Sequence, residues 1–473
     1  MKTHIFVSTL VFGTALLGCG AVANAGSNDS VLNDSLPGRW MYQGELETVQ
    51  LPENDKWWEL FDDTVLDSLI ESGLENNYNL SMAARRIEIA GNTVETAAAA
   101  YYPTLGLNAS WTKNRTSGMT GNEPGPAGKG SFWDVGLSMS WEIDLFGKIT
   151  SRVKHDKSLY RASKAEYAGA MLALASNIAS TYFQLRVWQA ERQVALEHTE
   201  RQLRVVKITE DRLDCDLGNM LEVTQAREVY YSTMASIPVL ENSINTAINS
   251  LAILVGKYPE ELYEQLMADS PLPDYHALVP VGMPADLLSR RPDIVQARLE
   301  LAAYAQALGI ARKDFLPTLT INGSIGVASH DISDVFDKSA VSYSISPTLS
   351  WTLFDGLSRK YNAAIAREQL QIGIDNYNLV VMTAVQDVDN AMSSYKASLL
   401  YIAATEKLLE QSNKALDLAL DLYKSSLTQF SNVVDAQMNV LENQNSLIVA
   451  RGRALSDIVK LHEAVGGGWN GIL

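Results

Sequence analysis

From Trp133 the apolar residues fall on every second position, through Val135, Leu137, Met139, Trp141, Ile143 and Leu145, while Asp134, Gly136, Ser138, Ser140, Glu142 and Asp144 fill the places between. A period of two is that of a strand with one apolar and one polar face. Leu105, Leu107, Ala109 and Trp111 alternate in the same way with Gly106, Asn108, Ser110 and Thr112, and the Gly-, Asn- and Pro-rich stretch 114–130 reads as a long loop. The pattern returns as Leu319, Ile321, Ile325 and Val327, a loop over 329–340, then Tyr343, Ile345, Leu349, Trp351 and Leu353. Two hairpins, about 104–145 and about 318–354, are expected. Elsewhere the period is helical. Residues 149–211 hold no Pro and few Gly, and about 60 residues at ~1.5 Å each reach about 90 Å. Residues 357–424 read alike. A shorter helix follows each, about 220–255 and about 431–465, with heptads at Val223, Tyr230, Ile237, Ile244, Leu251 and at Val434, Leu441, Ile448, Leu455.

The chain repeats itself. Tyr102-Pro103-Thr104-Leu105 returns as Leu316-Pro317-Thr318-Leu319, 214 positions on, and the run from Trp141 to Gly147 returns loosely from Trp351 to Gly356, 210 positions on. The offset of 210 also pairs Val255-Gly256 with Val465-Gly466. Shared landmarks in one order imply a tandem duplication, with a first repeat over 63–290, including an equatorial segment after its last helix, and a second over 291–473.

The N-terminus carries a different signal. Met1-Lys2-Thr3-His4 precedes an apolar stretch from Ile5 to Gly18 and then small residues, the layout of an export signal over 1–18. Leu16-Leu17-Gly18-Cys19 resembles a bacterial lipobox, which would lipidate Cys19 and leave 19–62 as a lipid-anchored extended segment; cleavage after Ala23-Asn24-Ala25 is the competing reading. With Cys19 removed, Cys215 is the one remaining cysteine, so no internal disulfide is expected.

Composition narrows the classes. Thirty-eight Lys and Arg against 55 Asp and Glu give a net charge of −17, which argues against a nucleic-acid partner. Beyond the N-terminus no run of about 18 apolar residues exists to form a spanning helix. The strands, at about 9–11 residues, are long enough to cross an outer membrane. A soluble sandwich shows the same alternation, but the export signal and the Trp residues at strand ends favour a lipid-facing barrel. Four strands leave an open edge that hydrocarbon does not tolerate. Three copies give twelve strands and a pore, so a homotrimer is expected, with the helical hairpins forming a coiled-coil tube in the periplasm. The fold class is thus a mixed α/β membrane protein: a trimeric twelve-stranded outer-membrane β-barrel, four strands per chain, continued by the tube. No phosphate loop, metal cluster or cofactor motif stands out, and no enzyme activity is expected. Pro292 and Asp293 in Arg290-Arg291-Pro292-Asp293 read as a helix start.

Arg290-Arg291-Pro292-Asp293-Ile294, then Ala302-Ala303 and Gly309 through Phe315-Leu316-Pro317, together with Trp57-Trp58, Phe61, Asp63, Leu66 and Asn79, resemble the outer membrane factor family of TolC-like exit ducts, of the NodT/OprM efflux-lipoprotein type. Leu221-Glu222-Val223 with Gln225-Ala226, and Leu427, Phe430 and Val433 to Gln437, resemble its periplasmic turns. The resemblance implies a passive outer-membrane duct for small molecules. Its partners would be a periplasmic adaptor and an inner-membrane pump of the RND type, with outer-membrane lipid around it and type I protein secretion as the alternative. It implies adaptor docking at tips bearing Asp216, Gly218, Asn219, Ser426 and Thr428. It further implies a periplasmic aperture at Asp435, Asn432 and Ser431, and a closing latch from Tyr423 to Glu222. Asp216 and Ser426 stand where the family carries glycine.

Overall fold

The computed structural model describes residues 40–41, 48–49, 56–115, 117, 119, 129–268, 270–273, 279–280 and 287–467; the export signal and Cys19 lie outside them. Among the described residues four long strands, β1 (Thr104–Arg115), β2 (Lys129–Ile143), β3 (Thr318–Ser329) and β4 (Val341–Ser350), combine with eight helices of nine residues or more. These are α1 (Thr64–Asn76), α2 (Tyr78–Ala99), α3 (Lys148–Asp214), α4 (Met220–Val255), α5 (Pro259–Met267), α6 (Pro292–Lys313), α7 (Ser358–Lys424) and α8 (Phe430–Ala464). The chain divides into two compact units. The first holds 90–160 and 298–376, and the second the remaining described residues.

In the first unit the strands form one antiparallel sheet in the order β1-β2-β3-β4. Its register aligns like with like. Leu107 lies opposite Leu137, Leu137 opposite Ile325 and Ile325 opposite Tyr343, so the apolar positions form rows across all four strands. The other face carries Asn108, Gly136, Ser138, Ser324 and Ser344, with the last two hydroxyls 2.8 Å apart. Leu105, Leu107, Tyr343 and Ile345 are exposed, so among the described residues nothing covers the apolar face. Trp111 and Trp133 pack together at one end of that face and Trp141 stands eight residues away along β2. At ~3.4 Å per residue that is about 27 Å of strand; tilted by ~40° it spans about 21 Å, close to the ~25 Å apolar band of an outer-membrane barrel.

The ladder is shorter than the alternation suggested. β2 ends at Ile143 and β4 at Ser350, leaving Leu145, Trp351 and Leu353 beyond it. The chain leaves the sheet because two carboxylates turn it into helices. Asp144 accepts from the Ile149 and Thr150 amides at 2.9 Å, and Asp355 accepts from the Arg359 amide at 3.1 Å. Trp141 Nε1 donates to the Tyr101 carbonyl and Trp351 Nε1 to that of Phe315, the same joint made twice.

The second unit is helical. Trp57, Trp58 and Phe61 of a 3-10 turn are buried, Phe61 packing at a tilt against Phe183, while Asp63 caps α1 through the Val65 and Leu66 amides and accepts the Tyr182 hydroxyl at 2.6 Å. The second heptad stripe sits one residue earlier than expected. Val433, Val440, Leu447 and Ala454 are buried, whereas of the expected stripe Val434, Leu441 and Ile448 only flank them and Leu455 is buried. With Val433 and Val434 both apolar, sequence left two phases open, and packing against Phe430 and Val206 takes the first.

Duplication is written in the backbone too. Left-handed residues recur 210 apart at Gly147 and Leu357, Asp216 and Ser426, and Gly256 and Gly466. Asn77 Nδ2 donates to the Leu254 carbonyl, and Arg291, 214 positions on, donates to that of Ala464. Arg291 also holds Asp387 at 3.0 Å and Asp293 at 2.7 Å, so the charged motif before Pro292 is a structural joint between helices α6, α7 and α8.

His462 lies flat on Trp57 with ring centroids 5.3 Å apart, and burial pushes its pKa down to about 4. The unfolded chain binds a proton near the ordinary 6.5 and the folded one does not. Stability is therefore full above that value and falls with pH between about 6.5 and about 4, by up to ~1.4 kcal/mol per unit. Urea denaturation of His462→Phe should lose most of that slope; an unchanged slope would place the titration elsewhere.

Candidate functional site at the helix-turn-helix tips

Two turns reverse the long helices within the second unit. In the first, α3 gives way after Asp214, Asp216 adopts φ 55°, and Asn219 caps α4 through the Glu222 amide at 3.1 Å. In the second, α7 ends at Lys424, Ser426 adopts φ 57°, and α8 starts at Phe430. Burial of Tyr423, Phe430, Val433, Val206 and Ala226 in one cluster clamps the turns side by side.

A polar chain crosses between them. Tyr423 donates its hydroxyl to Glu222 Oε2 at 2.7 Å. Burial, then that bond, pushes the phenol up to about 12, which keeps it a proton donor throughout the physiological range. Arg212, in the last turn of α3, lays its guanidinium 4.8 Å from the Tyr423 ring centroid. It donates to the Leu217 carbonyl at 3.1 Å and to Ser426 Oγ at 3.4 Å. One cation thus touches both turns.

The outer membrane efflux protein family matches residues 69–257 and 283–467. The chain belongs to that family. It is 30% identical over 422 residues, 87% of each chain, to the solvent efflux pump outer membrane protein SrpC of Pseudomonas putida. It is 26% identical over 417 residues, 88% of this chain and 89% of the other, to the cation efflux system protein CusC of Escherichia coli. Among solved structures, the outer-membrane channel OprN superposes with a TM-score of 0.87 at 28% identity, covering 91% of this chain and 96% of its own. The fold is therefore that of an outer-membrane efflux channel, mostly helical with one four-stranded sheet per chain.

Within this efflux protein the structure brings Glu222 and Tyr423 into contact, and adds Arg212, which sequence reasoning missed. A basic residue in the last turn of a helix is common enough to carry no signal of its own. Asp216, Asn219 and Ser426 are exposed, while Gly218 and Thr428 are partly covered, Thr428 accepting from Asn432 Nδ2 at 2.6 Å. Asp435 is exposed and, with Asn432, lines a shallow recess of about 250 Å³ against α7. Ser431 is half-buried. Cys215 is an exposed free thiol. Among the described residues no group of His, Cys, Asp and Glu is arranged to hold a metal, and no helix is long and apolar enough to cross a membrane.

The two left-handed residues are strained, since Cβ crowds the carbonyl in that region by roughly 1–2 kcal/mol. Asp216→Gly and Ser426→Gly should each stabilise the protein by about 0.5–1 kcal/mol, less the backbone entropy that Gly adds to the unfolded chain. Denaturation midpoints that fall in both variants would show that these side chains contribute more than the strain removes.

Proposed function

We propose that this chain is the outer-membrane exit duct of a tripartite efflux system, three copies closing one twelve-stranded barrel and carrying out no catalysis. The sheet carries this reading. Its faces are apolar and polar, and β1 and β4 are open edges. Open backbone is untenable in hydrocarbon, so β4 of one copy must pair with β1 of the next. The neighbouring helices are prepared for the same contact: Tyr78, Met82 and Ile89 stand exposed on α2, and Tyr361, Ile365 and Ile372 on α7. Cys19 is the lipid anchor in the outer membrane. The tips at Asp216, Gly218, Asn219, Ser426 and Thr428 dock a periplasmic adaptor, which joins the duct to an inner-membrane pump of the RND type that supplies the energy. Asp435, with Asn432 and Ser431 beside it, rings the periplasmic aperture, and three copies of one carboxylate favour cations. Glu222 and Tyr423 form the latch that holds the aperture shut. Relatives are named for solvent and for cation efflux, which suits a duct that sorts cargo by size and charge and leaves its chemistry to the pump.

The test joins assembly to conduction. Purified protein should have a trimeric mass in mild detergent and form ion-conducting channels in planar bilayers, and labelled palmitate should enter the wild type but not Cys19→Ser. In cells, Gly218→Cys or Ser426→Cys should crosslink to an adaptor. A monomer that fails to conduct would remove the duct, and equal labelling of both proteins would remove the anchor.

A further inference from the structure

The chain is acidic as a whole, yet where its helices meet the sheet the sign inverts. Segments 148–160, 309–315 and 355–367 hold nine Lys and Arg and three Asp. Each Asp is engaged: Asp156 with His155 at 2.8 Å, Asp314 with Lys148 at 2.6 Å and Asp355 with Arg359 at 2.8 Å. Lys154, Lys157, Arg312, Lys360 and Arg367 are exposed and have no carboxylate partner among the described residues. Lys360 lies 5.7 Å from the Tyr361 ring centroid.

These five share one side of the helical wall. On α3, Ile149 and Val153 pack on Val94 and Ala97 of α2, while Ser151 faces Gly309 of α6. At about 100° per residue, Lys154 and Lys157 fall between those contacts on one side and Arg152 on the other. On α7, Gly373 lies against Leu301 and Tyr304 of α6, Tyr361 and Ile365 line the free edge, and Lys360 and Arg367 lie two turns apart between them. Arg312 falls between the two contact faces of α6.

The sheet decides which side this is. The Val135 and Ile325 carbonyls point into the seam between β2 and β3, beside Gly326 and Gly136, so the odd-numbered apolar residues exchange hydrogen bonds across it. Seen from the apolar face with the helices below, the chirality of L-residues then puts β3 to the left of β2. Right-handed helices following that order carry all five cations on the side continuous with the apolar face. Two exposed carboxylates stand nearby, Glu95 on α2 and Glu368 next to Arg367 on α7, against the five cations.

We propose that Lys154, Lys157, Arg312, Lys360 and Arg367 form a collar that binds the phosphate headgroups of anionic phospholipids in the leaflet nearest the helices. The inference rests on the sheet spanning the outer membrane, and it assigns lipid contacts to residues separated by up to 213 positions in sequence. Long basic side chains reach a headgroup layer from just below an apolar band, and Lys360 and Arg367 sit about 3 Å and 14 Å along α7 from its start.

The experiment uses the full-length protein released from vesicles of phosphatidylethanolamine containing a minority of phosphatidylglycerol, with retained lipids counted by native mass spectrometry. Wild type should retain phosphatidylglycerol at about threefold or more above its bulk fraction in low salt, declining as salt screens the collar. Replacing all five residues with Gln should abolish the enrichment, and Lys154→Arg, Lys157→Arg and Lys360→Arg together should preserve it. Enrichment should also survive inorganic phosphate at matched ionic strength; its loss there would assign the site to free phosphate. Absence of enrichment in the wild type, or its persistence in the Gln variant, would overturn the collar. So would a Gln variant that changes ion selectivity but keeps its lipids, because the cations would then face the lumen. Conductance measured on the same preparation separates the two readings. A protein that conducts without lipid preference loses only the collar, and one that neither inserts nor conducts loses both.

Discussion

Single channels of the Glu222→Ala, Tyr423→Phe double variant should open to a larger conductance than wild type, by about threefold or more, in planar bilayers. Each copy loses a hydrogen bond from a phenol to a carboxylate, an interaction of about 1.5–3 kcal/mol when the acceptor is charged. Three copies acting on one aperture multiply that bias, so the closed state loses its advantage without any change in the walls. Arg212 sharpens the expectation. Its guanidinium covers the Tyr423 ring and reaches Ser426 Oγ on the second turn, so Arg212→Gln should loosen the same contact and add little when combined with the double variant. Asp435→Ala, by contrast, should reduce cation selectivity while leaving conductance close to normal. Wild-type conductance in the double variant would remove the latch, and undiminished selectivity without Asp435 would move the constriction elsewhere.

Gly256→Ala should be the most damaging small substitution in the helical unit, lowering stability by about 3 kcal/mol or more. Gly256 ends α4 at φ 78°, where any Cβ is strained. A Cβ there would also overlap the Asn76 carbonyl oxygen and lie 2.9 Å from its carbon, both parts of a backbone pinned by Asn77. Neither neighbour can give way as a flexible side chain would. Gly466→Ala repeats the experiment at the second joint, where the added carbon would fall 2.8 Å from the Arg290 carbonyl oxygen at φ 74°. Gly73→Ala is the control: its obstacle is the terminal Cδ1 methyl of Ile178, which can turn about its own side-chain bonds, so its loss should be smaller. Denaturant titration of the three variants checks the order, and equal losses would show that backbone rigidity at the joints is not the cause.

Much of this was legible before any coordinates. A period of two over ten residues has few alternatives, and the recurrence of Pro103 at Pro317 and Trp141 at Trp351 fixed the duplication. Glu222 and Tyr423 were reachable only through family resemblance, because 201 positions separate them and neither is unusual for a helix end. Arg212 was not reachable, since its role depends on two turns meeting. The phase of the second heptad was open because adjacent valines satisfy either choice. The collar was illegible because its residues are scattered over three segments that become neighbours only when the helices pack.

The recurrence of one left-handed residue in each turn changes how the rim counts. In a trimer the periplasmic end carries six turns of nearly identical backbone, three marked by Asp216 and three by Ser426. A partner that grips the shared main-chain shape meets six equivalent sockets, whereas one that reads the carboxylate meets three. Exchanging the two residues should leave the first kind of partner indifferent and rotate the second by one socket around the ring.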